Sequence, residues 1–373
     1  MKNTFGSSVC LTIFGESHGP AIGAVLDGLC AGLPVDEAFI ARQMDKRRAR
    51  GDGLSTGRTE ADQVRLLSGV LNGRTTGTAI ALMIENKAQR SGDYAKTQDL
   101  LRPGHADFTA YAKYGGWQDS RGGGHFSGRI TAPLVAAGAI CQQVLAAKGI
   151  TIATHIRAAA GVEDLPFAAD EPALLARQAA AVSAASPEQL ALIDPAREES
   201  IRAAIRAAGA EGDSVGGILE TAVLGLPAGV GEPFFDSVES VLSHLLFSIP
   251  AVKGVEFGLG FGFAGLRGSQ ANDPFRMEAG RVVTATNHNG GVNGGIANGM
   301  PLVFRTAVKP TPSIYKPQQT VDYVAKRDAQ LQIQGRHDPC IVHRAAVVQT
   351  CAAALGLLDL LTTCEGTRSQ KED

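Results

Sequence analysis

The sequence predicts a mixed fold in which helices pack on β-sheets and two related halves share one core. Three observations carry that expectation. Apolar runs of strand length end in glycine turns and lead into stretches with helical patterning. One such segment has an echo: Gly23 to Pro34 reads GAVLDGLCAGLP, and Gly216 to Pro227 reads GGILETAVLGLP. No Pro/Gly/Ser-rich linker separates the halves. The echo spacing far exceeds a solenoid period, so it points to duplication of a large unit. Strand order is not readable from these patterns.

Composition is compatible with this. Hydrophobic residues make up 44% and charged residues 19% of 373, enough to bury a sizeable core. The net charge of −2 calls for neither nucleic acid nor an anionic membrane as partner. The 45 glycines exceed the usual share of roughly 7% and imply tight turns and close backbone approaches. The cysteines (Cys10, Cys30, Cys141, Cys340, Cys351 and Cys364) form no C-x-x-C pair, so neither a metal site nor a redox dithiol is indicated. The start, MKNTFGSS, lacks a signal-peptide layout, and no apolar run reaches the roughly 18 residues of a membrane span. The expectation is a cytoplasmic protein with reduced thiols.

Along the chain, Val9 to Phe14 reads as a strand. Arg42, Lys46, Arg47, Arg48 and Arg50 follow the first echo and suit either a solvated helix face or a lining for a polyanionic ligand. A helix is expected from about Pro133 to Lys148. The Ala-rich stretch from about Ala168 to Gly209 ends in another helix. Asp194 caps it, Pro195 suits its first turn, Gly209 its stop, and Ile201, Ala204, Ile205 and Ala208 share a face. The tail after Glu365 is polar and expected to be loose.

Polar residues gather at glycine-rich turns in four places. Gly15-Glu16-Ser17-His18-Gly19 puts a histidine at a strand end, suited to general acid work or to a local backbone bond. Arg102-Pro103-Gly104-His105-Ala106-Asp107 sets a guanidinium and an imidazole side by side, which suits a phosphate leaving group, with Asp107 able to orient the ring. A surface loop with a chance ion pair reads the same way. Arg121 to Thr131 combines three glycines, Ser127, Arg129 and a helix start, an arrangement that suits an anion or a hinge. The C-terminal set holds Asn287 to Gly295, Lys309 to Ser313, and Gly335 to Cys340. His155, His244 and His343 are read as structural. No G-x-x-x-x-G-K-[ST], G-x-S-x-G or H-E-x-x-H motif is present.

Taken in order, these blocks resemble the chorismate synthase family. GESHGPAIGAVLDGLCAGLP, GHFSGRITAPLVAAGAI and GRHDPCIVHRAAVV are similar to its three signatures, and RPGHAD, GEP, AVKGVEFG, LRGSQ, NGGI and KPTPS match between them. The resemblance covers about Thr4 to Leu361. It implies an α+β fold, a β-α-β sandwich of antiparallel sheets and helices with a pseudo-two-fold repeat. The expected domain spans 1–365, with halves of about 1–150 and 210–365 joined by the Ala-rich region, and 366–373 as tail. The implied reaction is the 1,4-anti elimination of phosphate from 5-enolpyruvylshikimate 3-phosphate, giving chorismate. It requires reduced FMN without net redox change, and the implied assembly is a homotetramer with flavin sites near subunit contacts.

Carried over by motif, the resemblance implies that His18 protonates reduced flavin, His105 assists the departing phosphate, and Asp338 helps take the hydrogen through flavin N5. Ser17 and Ser127 support that relay. Arg47, Arg102, Arg129 and Arg336 hold the substrate. His125, Phe126, Ser127, Ala251, Gly294, Lys309, Pro310, Thr311, Pro312 and Ser313, with Arg336, hold FMN. The chain departs from the family pattern at three places. His125-Phe126-Ser127-Gly128-Arg129-Ile130-Thr131 stands where R-S-S-A-R-E-T is frequent, Pro250-Ala251 where Asn-Ala is frequent, and Ala49 to Gly53 where Pro-Gly and a later arginine are usual. Two rival readings are a scaffold that binds flavin without catalysis and an NADPH-fed flavin oxidoreductase. The second lacks a G-x-G-x-x-G after a strand, although self-reduction of flavin by NADPH is left open.

Overall fold

Two five-stranded antiparallel sheets enclose a layer of helices. The computed structural model describes residues 2–55, 62–87, 99–333 and 337–369. In the first sheet the spatial order is Thr4–Phe5, Cys10–Gly15, Ala21–Asp27, Ile80–Glu85, Val64–Leu66. In the second it is Val162–Glu163, Thr151–Ala159, Gly217–Leu224, Leu302–Val308, Val252–Phe257. The two echo segments thus supply the middle strand of each sheet. Register follows burial: Ile22, Ala24 and Leu26 face Ile84, Leu82 and Ile80 across the ladder, and all six are buried.

The helix Thr131–Ala147 packs on the first sheet, Val342–Ser369 packs on the second, and the two pack on each other. Both are largely apolar, as helices buried over most of their surface must be. Their approach is close: a Cβ on Gly138 would lie 2.4 Å from the Cys351 carbonyl oxygen. Gly128–Ala147 and Val342–Thr367 are long and apolar enough to cross a bilayer, which corrects the expectation of no such run. Burial inside the protein of 67% and 94% of their apolar windows makes them core helices.

The helix expected from Pro133 begins two residues earlier. Asp194 caps as expected, accepting from the Ala196 amide, but Pro195–Arg197 form a 3₁₀ turn before Glu198–Ala210, whose Ile201 and Ile205 are buried. Two expectations are corrected. The Ala-rich region does not join the halves, because Thr151–Ala159 already belongs to the second sheet and pairs with Gly217–Leu224. The region is an insertion between those strands. Nor are residues 366–369 a loose tail: the last helix runs on to Ser369, and the rest of the expected tail lies outside the described residues. All six cysteines are free thiols.

Two buried carboxylates tie distant segments together. Asp359, within the last helix, accepts the amides of Ser7, Ser8 and Val9 at 3.1, 2.7 and 2.8 Å. In the second sheet His155 is fully buried between Asp164, 3.2 Å from Nδ1, and Glu220, 3.0 Å from Nε2. Asp164 also accepts the amides of Ile193 and Asp194, fastening the insertion to the sheet.

Candidate active site

A cavity of about 880 Å³ is lined by loops that leave strands or enter helices. Lys309 to Ser313 follow the strand Leu302–Val308. Arg102 to His105 precede the helix Asp107–Tyr114, and His125 to Ile130 precede Thr131–Ala147. Asp338 precedes the last helix. Arg47 enters from the last turn of Glu37–Arg47, a helix started by the Asp36 cap, whose side chain accepts the Phe39 amide at 3.0 Å.

The three glycines do more than bend the chain. Gly122, Gly123 and Gly124 all have positive φ, at 59°, 95° and 53°. A Cβ on Gly122 would stand 2.0 Å from His18 Cε1, and one on Gly123 would stand 3.0 Å from His105 Cε1. Only glycines let both imidazoles reach this wall. The loop is stitched to the first histidine turn. Ser17 donates its amide to Gly124 O at 3.1 Å and its hydroxyl to Arg121 O at 3.2 Å, and His125 Nδ1 lies 2.9 Å from Gly15 O. Ser17 Oγ stands 3.1 Å from His18 Nδ1.

His105 is oriented as its sequence neighbours suggest. Its Nδ1 lies 2.8 Å from Asp107 Oδ1, which also accepts from Arg102 Nη2 at 2.7 Å. Asp107 Oδ2 accepts from Arg102 Nε and from the Arg102 amide at 2.8 and 2.9 Å. Burial of Asp107 opposes its charge, yet hydrogen bonds from Arg102 and His105 hold its carboxyl well below the usual carboxylate range. The ionised carboxylate fixes the proton on Nδ1 and leaves Nε2, which makes no hydrogen bond among the described residues, toward the Gly123 wall.

Arg47 and Arg129 meet at a residue that sequence reasoning missed. Asp62 accepts from Arg47 Nη1 at 2.9 Å and from Arg129 Nη1; Asp62 and Arg47 are buried and Arg129 is partly so. Nothing local marks Asp62, since its partners are 15 and 67 residues away. Arg344 was missed likewise: its Nη1 donates to Asp338 Oδ2 at 2.8 Å and its Nε to Arg47 O at 2.8 Å. The adjacent His343 is pushed down to about 4 by burial and by Arg344, so it is neutral near pH 7.

Across the cavity, Lys309 donates to Gly104 O at 2.6 Å, and its amide to Ala251 O at 2.9 Å. Thr311 Oγ1 is buried without a hydrogen-bond partner among the described residues. A hydroxyl left waiting beside a lysine and the half-turn to Ser313 suits a phosphate group.

The chorismate synthase family matches residues 9–362. The chain belongs to the chorismate synthase family. The chorismate synthase of Dehalococcoides mccartyi (strain 195) is 45% identical over 363 residues, 96% of each chain. That of Aeropyrum pernix is 45% identical over 360 residues, covering 96% of this chain and 93% of the relative. That of Korarchaeum cryptofilum is 43% identical over 358 residues, covering 95% and 96%. A crystal structure of chorismate synthase superposes with a TM-score of 0.75 at 29% identity, over 96% of this chain and 92% of that one. As a member of the chorismate synthase family the chain is a lyase of the shikimate pathway, converting 5-enolpyruvylshikimate 3-phosphate to chorismate.

Of the residues carried over from the chorismate synthase signatures, Arg47, Arg102, His105, His125, Phe126, Ser127, Arg129, Ala251, Lys309, Thr311, Pro312, Ser313 and Asp338 line one cavity. His18 is buried behind Gly122, which lines it. Ser17 and Pro310 do not line it, and neither does Gly294, which sits in the turn between Val292–Asn293 and Ile296–Ala297. Arg336 lies outside the described residues. Arg50 is not a lining residue: it pairs with Asp45 at 2.7 Å and Glu188 at 2.9 Å.

Proposed function

We propose that the cavity performs the elimination with reduced FMN bound along Lys309 to Ser313, and that its histidines and carboxylates divide the proton work. The observation that carries the reading is the Arg102–Asp107–His105 unit, which presents a fixed imidazole beside a guanidinium. Fit to FMN is supported by the partnerless Thr311 hydroxyl next to Lys309 and by the room available. When bound, reduced FMN supplies transient electron density that loosens the C–O bond. In its imidazolium form His105, with Nδ1–H held by Asp107, donates its Nε2 proton to the departing phosphate as the C3–O bond breaks, while Arg102 offsets the charge that leaves. Arg129 and Arg47 hold the other anionic groups. Asp338, aimed by Arg344, helps take the hydrogen from C6. His18, backed by Ser17 and standing behind Gly122, would be the proton donor to bound flavin, and Ser127 orders Arg129 by accepting its amide at 3.2 Å.

The same reading includes a pseudo-two-fold repeat. Support comes from the strand orders, in which the strand latest in sequence, Ile80–Glu85 or Leu302–Val308, lies between the third and the fourth of its sheet, and from one long helix after each sheet. It also includes a cytoplasmic homotetramer. Phe234, Phe235 and Phe261, each at least 87% exposed, are the kind of surface that subunits cover.

The test is an anaerobic assay with substrate and chemically reduced FMN. Phosphate release should far exceed flavin oxidised; a one-to-one ratio refutes the redox-neutral reading.

A further inference from the structure

Arg47 and Arg129 are both fully engaged inside the protein. Arg47 donates through Nε to Thr131 Oγ1 at 3.0 Å, through Nη1 to Asp62, and through Nη2 to Gly128 O at 3.1 Å. Arg129 donates through Nε to Asn86 Oδ1 at 3.1 Å, through Nη1 to Asp62, and through Nη2 to Glu85 O at 3.5 Å. Every guanidinium nitrogen of the pair therefore has a protein acceptor. A substrate carboxylate or phosphate that takes a bidentate hold on either arginine competes with one of those acceptors.

Asp62 is the acceptor suited to exchange. It is a charged partner common to both arginines, whereas Thr131 Oγ1, Gly128 O, Asn86 Oδ1 and Glu85 O are neutral oxygens. It lines the cavity itself. Its two oxygens are split between the two forks, Oδ2 to Arg47 and Oδ1 to Arg129, much as one carboxylate of a ligand would be. Its backbone is held at φ 44°, in the left-handed region that non-glycine residues seldom occupy.

We propose that Asp62 is the affinity-setting residue of the cavity, an internal carboxylate that stands where a substrate anion binds and must give way to it. This rests on the reading that Arg47 and Arg129 hold substrate anions. Asp62 keeps the two like charges aligned and reduces their repulsion, and every bound anion must compete with it.

The test is calorimetric binding of 5-enolpyruvylshikimate 3-phosphate to protein loaded with oxidised FMN, comparing Asp62→Asn, Asp62→Ser and Arg129→Ala with the unaltered chain. Removing the competing charge should tighten binding about tenfold in both Asp62 variants, the equivalent of one charged hydrogen bond. A purely structural Asp62 would give the opposite sign. Weaker or unchanged binding in both Asp62 variants, with Arg129→Ala also weaker, overturns the proposal and leaves the substrate role of the arginine intact. Unchanged binding in Arg129→Ala overturns the underlying reading and the proposal together. If Asp62→Asn unfolds, judged by its melting curve, Asp62→Ser decides alone.

Discussion

His105 and His155 each hold a carboxylate through Nδ1, at 2.8 Å to Asp107 and 3.2 Å to Asp164. They differ at the other nitrogen. Nε2 of His155 is taken by Glu220, and the ring is fully buried with Phe167 edge-on at 4.6 Å. Nε2 of His105 meets only the glycine wall of the cavity. The lesson is that a histidine–carboxylate pair becomes chemistry or scaffold according to what closes its second nitrogen. A guanidinium reinforces the contrast. Arg102 shares the carboxylate of His105 and lines the cavity, whereas His155 lies between two buried carboxylates.

Substitution should break the comparison cleanly. His105→Ala should lower kcat by roughly 10²- to 10⁴-fold, as loss of a positioned general acid does, with little change in melting temperature. Steady-state kinetics with excess reduced FMN measures this; a kcat within about threefold of the original would make His105 scaffold as well. His155→Ala should do the reverse, costing about 3–5 kcal/mol of stability because Asp164 and Glu220 are left buried without their cation, while kcat per folded molecule is kept. Denaturant titration reads the first effect and active-site-normalised assays the second.

Opposite pH dependences should sharpen the contrast. Burial works against a charged His155, yet the hydrogen bonds it donates to Asp164 and Glu220 outweigh it and raise its pKa. A raised folded pKa stabilises fully below the unfolded value of about 6.5 and is lost as pH rises through the folded value. The stability advantage over His155→Asn should therefore be larger near pH 6 than on the alkaline side. Asp107, whose pKa is lowered, contributes above about pH 4 and loses its contribution only in acid, so the advantage over Asp107→Asn should fade there instead. Equal slopes for both variants would mean that neither pair holds its charge as drawn. The smallest effect belongs to Asp194→Ala, which removes one helix cap near the His155 cluster and should cost about 1 kcal/mol without touching kcat.

The sequence exposes whatever is local. The cap at Asp194, the apolar run of Thr131–Ala147, and Asp107 beside His105 are all decided within a few residues, and the structure holds them where the pattern puts them. What depends on distant chain is hidden. The echo at Gly23 and Gly216 marks two strands, but not that each is the middle of its sheet. Asp62 and Arg344 acquire meaning only from arginines and carboxylates brought in by folding. The glycine run at Gly122 to Gly124 reads as an anion-binding loop, while its closest neighbours are two imidazole rings that no spacing rule foretells.

The bond between Asp359 and the amides of Ser7 to Val9 spans up to 352 residues of chain. At synthesis rates of about 5–20 residues per second, roughly 20–70 seconds separate the emergence of the two ends of that contact. Throughout that interval the helix Thr131–Ala147, which covers the first sheet, has its own outer face uncovered, since the last helix that completes the shared core does not yet exist. Newly made chains must therefore wait with a large greasy surface uncovered, and their yield in the cell is set by shelter from aggregation during that wait as much as by the stability of the finished enzyme.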